Sequence, residues 1–317
     1  MSTTATATQA RSLTAALLVI CGAQMLIVLD STIVNVALPA MQTSLDLTSA
    51  GLSWVINAYT LVFGGFLLLG GRVGDLIGRR RAFMLGIAIF TIASLAAGLA
   101  QTEWQLLIAR GIQGAGGALA SPAALALIAT MFSEGRERNR ALGIYSAVSG
   151  AAAAIGLILG GVLTELLDWR WVFFVNVPLG AVLIFLAPRV LAESTRERGR
   201  LDILGAATVT AGVISLVYGT INAAENGWDE PLTIGSFIAA GVLLVSFVIV
   251  ERFTAQPLLP LRILRDRNRA GAYAAQAVVS GAFFSSLFFA SMFLQRALEL
   301  TPLWAGLASL PIALVIG

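Results

Sequence analysis

Nine runs of about 20 apolar residues, each long enough to cross a bilayer as a helix rising about 1.5 Å per residue, and a shorter tenth dominate this chain. They cover Leu13–Leu38, Leu52–Gly71, Ala82–Ala100, Trp104–Thr130, Ala141–Leu166 and Trp171–Leu191. Further on come Ile203–Ile221, Leu232–Val250, Gly271–Leu294 and a last run from Leu303, still apolar at Gly317. Only 12% of the residues are charged, so a water-exposed fold lacks the polar surface it would need. The pattern predicts an all-α, polytopic membrane protein. The tenth run is about half a span, which reads as a chain continuing beyond Gly317. The first run resembles a signal peptide only in its leading Arg11. Its length, its internal Asp30 and the runs behind it favour a retained helix.

Charge placement sets the expected orientation. With the N-terminus in the cytoplasm, seventeen of the twenty arginines fall inside, and the chain has no lysine. They cluster at 72–81, 136–140, 189–200 and 252–269, while the outer loops hold Arg170 and Arg296 beside mostly acidic residues. The two longer inner stretches, Ala192–Asp202 and Glu251–Ala270, bracket runs seven and eight as an inserted hairpin. Within the second, Pro257–Arg265 alternates apolar and basic residues. That suits either a short helix on an anionic lipid surface or a solvated linker. The resulting organisation is 1–191 as a six-helix bundle, 192–270 as linker, hairpin and basic loop, and 271–317 as the start of a second bundle.

Ionisable groups at bilayer depth are costly and point to function. Asp30 and Arg110 both fall in the outer half at similar depth. A carboxylate and a guanidinium there would neutralise each other, and a proton on the carboxylate would break the pair. The competing readings are a static pair that fixes packing, or an arginine reaching to the outer interface. On a helical wheel Gln24, Ser31 and Asn35 share one face of the first helix, away from Asp30. In the fourth helix Arg110, Gln113, Gly114, Gly117 and Ser121 form one line, and Asn57, Thr60 and Gly64 form another in the second. Gln24, Asn35, Asn57 and Gln113 are candidates to line a substrate cavity; such residues also serve as interhelical hydrogen bonds. Ala152, Gly156 and Gly160, with Gly161 beside them, make a ridge of small residues for close helix packing.

The chain has no histidine and one cysteine, Cys21. It shows no nucleophile–base pair, phosphate loop or metal-ligand cluster, so neither an enzyme nor a cofactor is expected. Nucleic-acid binding is not expected either, because topology accounts for the arginines.

Four motifs add a family resemblance. Gly71-Arg-Val-Gly-Asp75-Leu-Ile-Gly78-Arg79-Arg80-Arg81 resembles the signature loop of the major facilitator superfamily. Its glycines suit a tight turn, and Asp75 is placed to satisfy N–H groups at a helix start. Leu29–Pro39 resembles the first-helix motif of the fourteen-helix drug:proton antiporter branch, and Arg110–Gly116 the fourth-helix motif whose arginine is implicated in proton transfer. Trp169–Gly180 is similar to the start of that branch's sixth helix. The fifth-helix motif departs from its pattern: Gly160 and Gly161 are present, but Leu157 follows Gly156 where proline is expected.

The resemblance implies major-facilitator-type bundles with about ten of fourteen helices present. It further implies a proton-coupled antiporter in a bacterial plasma membrane, exporting amphipathic, often cationic, drugs or secondary metabolites. Its partners would be the substrate, protons, the bilayer and the remaining C-terminal helices, on this or another polypeptide. Uptake or uniport of a small metabolite, or a non-transporting fragment, are the alternative readings.

Overall fold

The structure, a computed structural model, describes residues 2–193, 202–254, 258–259 and 261–316. The described chain is helical throughout: α1 (Ser2–Leu45), α2 (Ser49–Ile77), α3 (Arg79–Gly98), α4 (Glu103–Met131) and α5 (Arg136–Leu166) come first. Then follow α6 (Trp171–Phe174), α7 (Asn176–Val190), α8 (Ile203–Asn226), α9 (Pro231–Phe253), α10 (Arg267–Arg296) and α11 (Pro302–Ile316). Among the described residues nine helical stretches, counting α6 and α7 as one, are long and apolar enough to cross a membrane.

Most helices extend beyond their apolar runs, and capping side chains mark several of their starts. Thr48 accepts a hydrogen bond from Gly51 N at 3.0 Å and starts α2. Asp202 does the same for Gly205 N at 2.8 Å in α8, and Asp266 for Asn268 N at 2.9 Å in α10. The sixth run is not one helix but two, broken at Val175. The basic stretch after α9 contains a 3-10 turn, Leu261–Arg265, rather than an α-helix. Pro257, Pro260 and the arginines at 196, 198 and 200 lie outside the described residues.

The signature loop departs from its reading. Asp75 sits in the last turn of α2 and pairs with Arg79 at 3.3 Å, so it does not cap α3. Glu193 takes that role: its Oε1 accepts from Arg80 N at 3.2 Å. Its Oε2 lies 3.5 Å from Arg80 Nε and 3.6 Å from Arg81 Nε. The turn itself is made by Gly78 alone, at φ +104°, a conformation other residues rarely adopt. Gly71 stays inside α2 against Pro122 of α4. The chain end after α7 is therefore bound onto the α2–α3 turn.

Backbones also approach closely where α5 lies on α1. A methyl group added at Gly156 would sit 3.0 Å from the Leu29 carbonyl oxygen, and one at Gly160 2.8 Å from that of Ile33. Gly161 faces α11 in the same manner, at Pro302 and Leu303. The fifth helix is thus wedged between α1 and α11. Leu157 is buried against Val36, Ala153 and Leu287, and its carbonyl backs onto Gly306 of α11. The α8–α9 pair is closed by Asn222 donating to Thr233 at 2.7 Å. It docks on the back of α2 through Thr210 Oγ1 donating to Gly65 O at 2.6 Å and through Trp54 beside Tyr218. Its outer face exposes Ile238, Val242, Val245 and Phe253, as a lipid-facing surface requires.

The α1–α5 contact generates a stability prediction. Gly160→Val should cost about 1–3 kcal/mol through overpacking and lower the unfolding temperature of the full-length protein in detergent. Gly241→Ala, where an added methyl meets open space, should leave that temperature unchanged or raise it. Equal behaviour of the two variants would contradict the packing described.

Candidate functional site

Six residues on a helix turn it through about 600° at 100° each, so Asp30 points roughly 120° away from Gln24. Gln24, Ser31 and Asn35 accordingly face a cavity of about 660 Å³, while Asp30 faces the bundle interior. Ser53, Asn57, Thr60 and Phe63 of α2 form a second wall. Arg110 and Ser121 of α4 contribute to it, and Ser280, Ser285, Phe288 and Phe289 of α10 close another side. The cavity is thus apolar and aromatic with scattered hydroxyl and amide groups, the usual make-up of a small-molecule site.

Behind this wall the two membrane-depth charges meet. Arg110 Nη1 donates to Asp30 Oδ2 at 2.7 Å, with Asp30 at 0% and Arg110 at 1% exposure. The carboxylate is completed by its other oxygen: Asp30 Oδ1 accepts from Gln113 Nε2 and from Asn176 Nδ2, both at 2.7 Å. The guanidinium is completed in turn. Its Nε donates to the Val55 carbonyl at 3.1 Å and its Nη1 to Gln113 Oε1 at 2.6 Å. Its face lies over the ring of Tyr59, with Cζ 4.4 Å from the centroid. Gln113 also reaches Ser94 of α3 at 2.7 Å. One ion pair therefore gathers side chains or backbone from α1, α2, α3, α4 and α7.

Local sequence explains how such a cluster fits. Gly114, next to Gln113, lies against the Tyr59 carbonyl, and Gly117 lies against the Phe63 ring. These small residues bring α4 onto α2, so that Arg110 reaches a carbonyl of its neighbour. The break at Val175 starts α7 at Asn176, which places that amide in the first turn, facing Asp30.

Of the sequence candidates, Gln24, Asn35 and Asn57 line the cavity. Gln113 does not: it is fully buried in the ion-pair cluster, since its position three residues after Arg110 puts it on the guanidinium's own face. Asn176, Ser94 and Tyr59 were not singled out from the sequence, although Asn176 lies inside the Trp169–Gly180 motif and is a bare amide in an apolar run. Ser94 and Tyr59 gave no such signal; only tertiary contact brings them here. Arg79, Arg80, Asp75 and Gly78 are at the α2–α3 turn with Gly71 two turns earlier in α2, and Gly156, Gly160 and Gly161 are in the α5 ridge. Both groups are separate from the cavity lining. Among the described residues no group of three or more Cys, Asp or Glu side chains could hold a metal ion.

Comparison with known proteins agrees with this architecture. The chain is 44% identical over 307 residues to the MFS-type transporter EfpA of Mycobacterium tuberculosis, covering 97% of this chain and 58% of that protein. It is 44% identical over 302 residues to the puromycin resistance protein pur8 of Streptomyces alboniger, covering 95% and 60%. It is 42% identical over 313 residues to the cephamycin export protein CmcT of Amycolatopsis lactamdurans, covering 96% and 63%. The chain therefore spans less than two thirds of the length of these relatives. A crystal structure of the peptide transporter POT in complex with sulfate superposes with a TM-score of 0.61 at 16% identity. It covers 92% of this chain and 64% of that one, a likeness of fold alone. The family profile described as Major Facilitator Superfamily matches residues 20–317. This chain belongs to the major facilitator superfamily, a family of transporters rather than enzymes.

Proposed function

We propose that the protein exports amphipathic, often cationic, drugs or secondary metabolites across a bacterial plasma membrane in exchange for protons. The observation that carries this reading is the buried Asp30–Arg110 pair standing directly behind the cavity wall. Similarity to a puromycin resistance protein and a cephamycin export protein supports export as the direction and small bioactive molecules as the cargo.

The charge arithmetic supplies a coupling mechanism. With Asp30 ionised, the pair is neutral and the cavity wall presents an uncharged face to a cationic ligand. A proton on Asp30 removes the counter-charge, and Arg110, which lines the cavity, then presents a net positive charge. For a ligand cation about 6 Å away, the Coulomb penalty at an effective dielectric of 20 is about 3 kcal/mol, or roughly a hundredfold in affinity. Proton and substrate thus exclude one another without sharing an atom, as antiport requires. The same proton loosens the hub between α1 and α4, and alternating access proceeds by the bundles rocking about the site. The asymmetric arginine loops favour a cytoplasmic N-terminus, with protons arriving from outside.

Two outcomes test this. In the full-length protein, Asp30→Asn should lower pH-gradient-driven efflux of puromycin roughly tenfold or more, the size of an ordinary coupling free energy of about 1–3 kcal/mol. Unchanged efflux would exclude Asp30 as the coupling group. Separately, Arg110→Gln leaves a buried carboxylate unpaired and should cost about 3–5 kcal/mol of stability, read as a lower unfolding temperature in detergent. Adding Asp30→Asn to that variant should restore much of the loss; a further loss instead would show that the two charges do not compensate each other.

A further inference from the structure

A second polar cluster meets the same cavity about 9 Å along α1 from Asp30, six residues nearer the N-terminus. There Gln24 Nε2 donates to Ser149 Oγ at 2.9 Å, and Tyr145 Oη donates to Gln24 Oε1 at 2.5 Å. Tyr145 and Ser149 both belong to α5, and Ser149 Oγ is itself held on the Tyr145 carbonyl at 3.0 Å. Tyr145 is 7% exposed. The glycine ridge that seats α5 on α1 fixes the spacing between the two helices.

Other polar groups on the wall are held differently. Ser31 donates to the Ile27 carbonyl, Asn35 to that of Ser31 and Thr60 to that of Ile56, each within its own helix. Gln24 is oriented by side chains of a neighbouring helix. A carboxamide has two N–H donors and two acceptor lone pairs. Ser149 takes one donor and Tyr145 one lone pair, which leaves one donor and one acceptor.

We infer that Gln24 forms a fixed amide subsite of the cavity, recognising an amide, carbonyl or hydroxyl group on the ligand, and that Tyr145 is its positioning residue. The subsite reads neutral hydrogen-bonding groups, whereas the Asp30–Arg110 pair reads charge. This inference rests on the transport reading above and adds a chemical requirement to it.

Two probes separate the subsite from general damage: puromycin, which carries an amide and hydroxyls, and tetraphenylphosphonium, a cation without hydrogen-bonding groups. In proteoliposomes of the full-length protein, Tyr145→Phe should raise the KM for puromycin roughly three- to tenfold, the loss of about one hydrogen bond, and leave that for tetraphenylphosphonium unchanged. Ser149→Ala should act in the same direction. Parallel shifts for both probes, or none for either, would overturn the subsite. An Asp30→Asn arm keeps the two ideas apart: pH-gradient dependence that survives in it counts against proton coupling, while the difference between the probes still decides the role of Gln24.

Discussion

An ion pair in an apolar interior is stable only when both ions are fully solvated by the protein itself. Asp30 and Arg110 are held by four further hydrogen bonds, to Gln113 (two), Asn176 and the Val55 carbonyl, and Gln113 is itself anchored on Ser94. Each of these partners sits at a fixed height on its helix, so the relative register of α1, α2, α3, α4 and α7 is set by one carboxylate. Continuum arguments assign little net stability to such a pair over an apolar replacement. On the reading proposed above, its worth lies instead in having two states. Charged, it locks five segments together; with a proton on Asp30, the lock loses its electrostatic component.

The remaining architecture would pass such a change on to more distant helices. Because α5 touches α1 through backbone rather than long side chains, a shift of α1 moves α5, and through Gly161 and Leu157 it also reaches α11. On the other side, α10 meets α1 through Ser291 donating to the Asn35 carbonyl at 3.0 Å and Gln295 donating to that of Val36 at 3.1 Å. Asn35 therefore offers its side chain to the cavity and its carbonyl to α10. The inserted α8–α9 pair has no part in the ion-pair cluster; it braces α2, the helix that carries Val55 and Tyr59.

Much of this was legible in the sequence, for identifiable reasons. Bilayer thickness imposes a length on each span, and so the spans, their number and the hairpin between the arginine-rich stretches follow from hydropathy. The ion pair follows from depth: two costly groups at one height in an apolar chain need each other. Helix ends were less legible, since Thr48 and Asp266 extend α2 and α10 into polar flanks and α8 runs on to Asn226. Partners distant in sequence were hidden altogether. Glu193 caps a helix 113 residues away from it, and Asn176 reaches Asp30 across 146. Gln113 illustrates the limit of the helical wheel. The wheel placed it beside Arg110, but only the packing of α4 against α1 and α3 decides that this face is buried rather than open to the cavity.

The central claim is that proton and ligand exclude one another through Asp30. Proton release on ligand binding tests it most directly: weakly buffered, detergent-purified full-length protein is mixed with puromycin while pH is followed. The wild type should release protons as puromycin binds, and that release should disappear in Asp30→Asn although puromycin still binds. An equal release from the variant, or uptake of protons by the wild type, would contradict it.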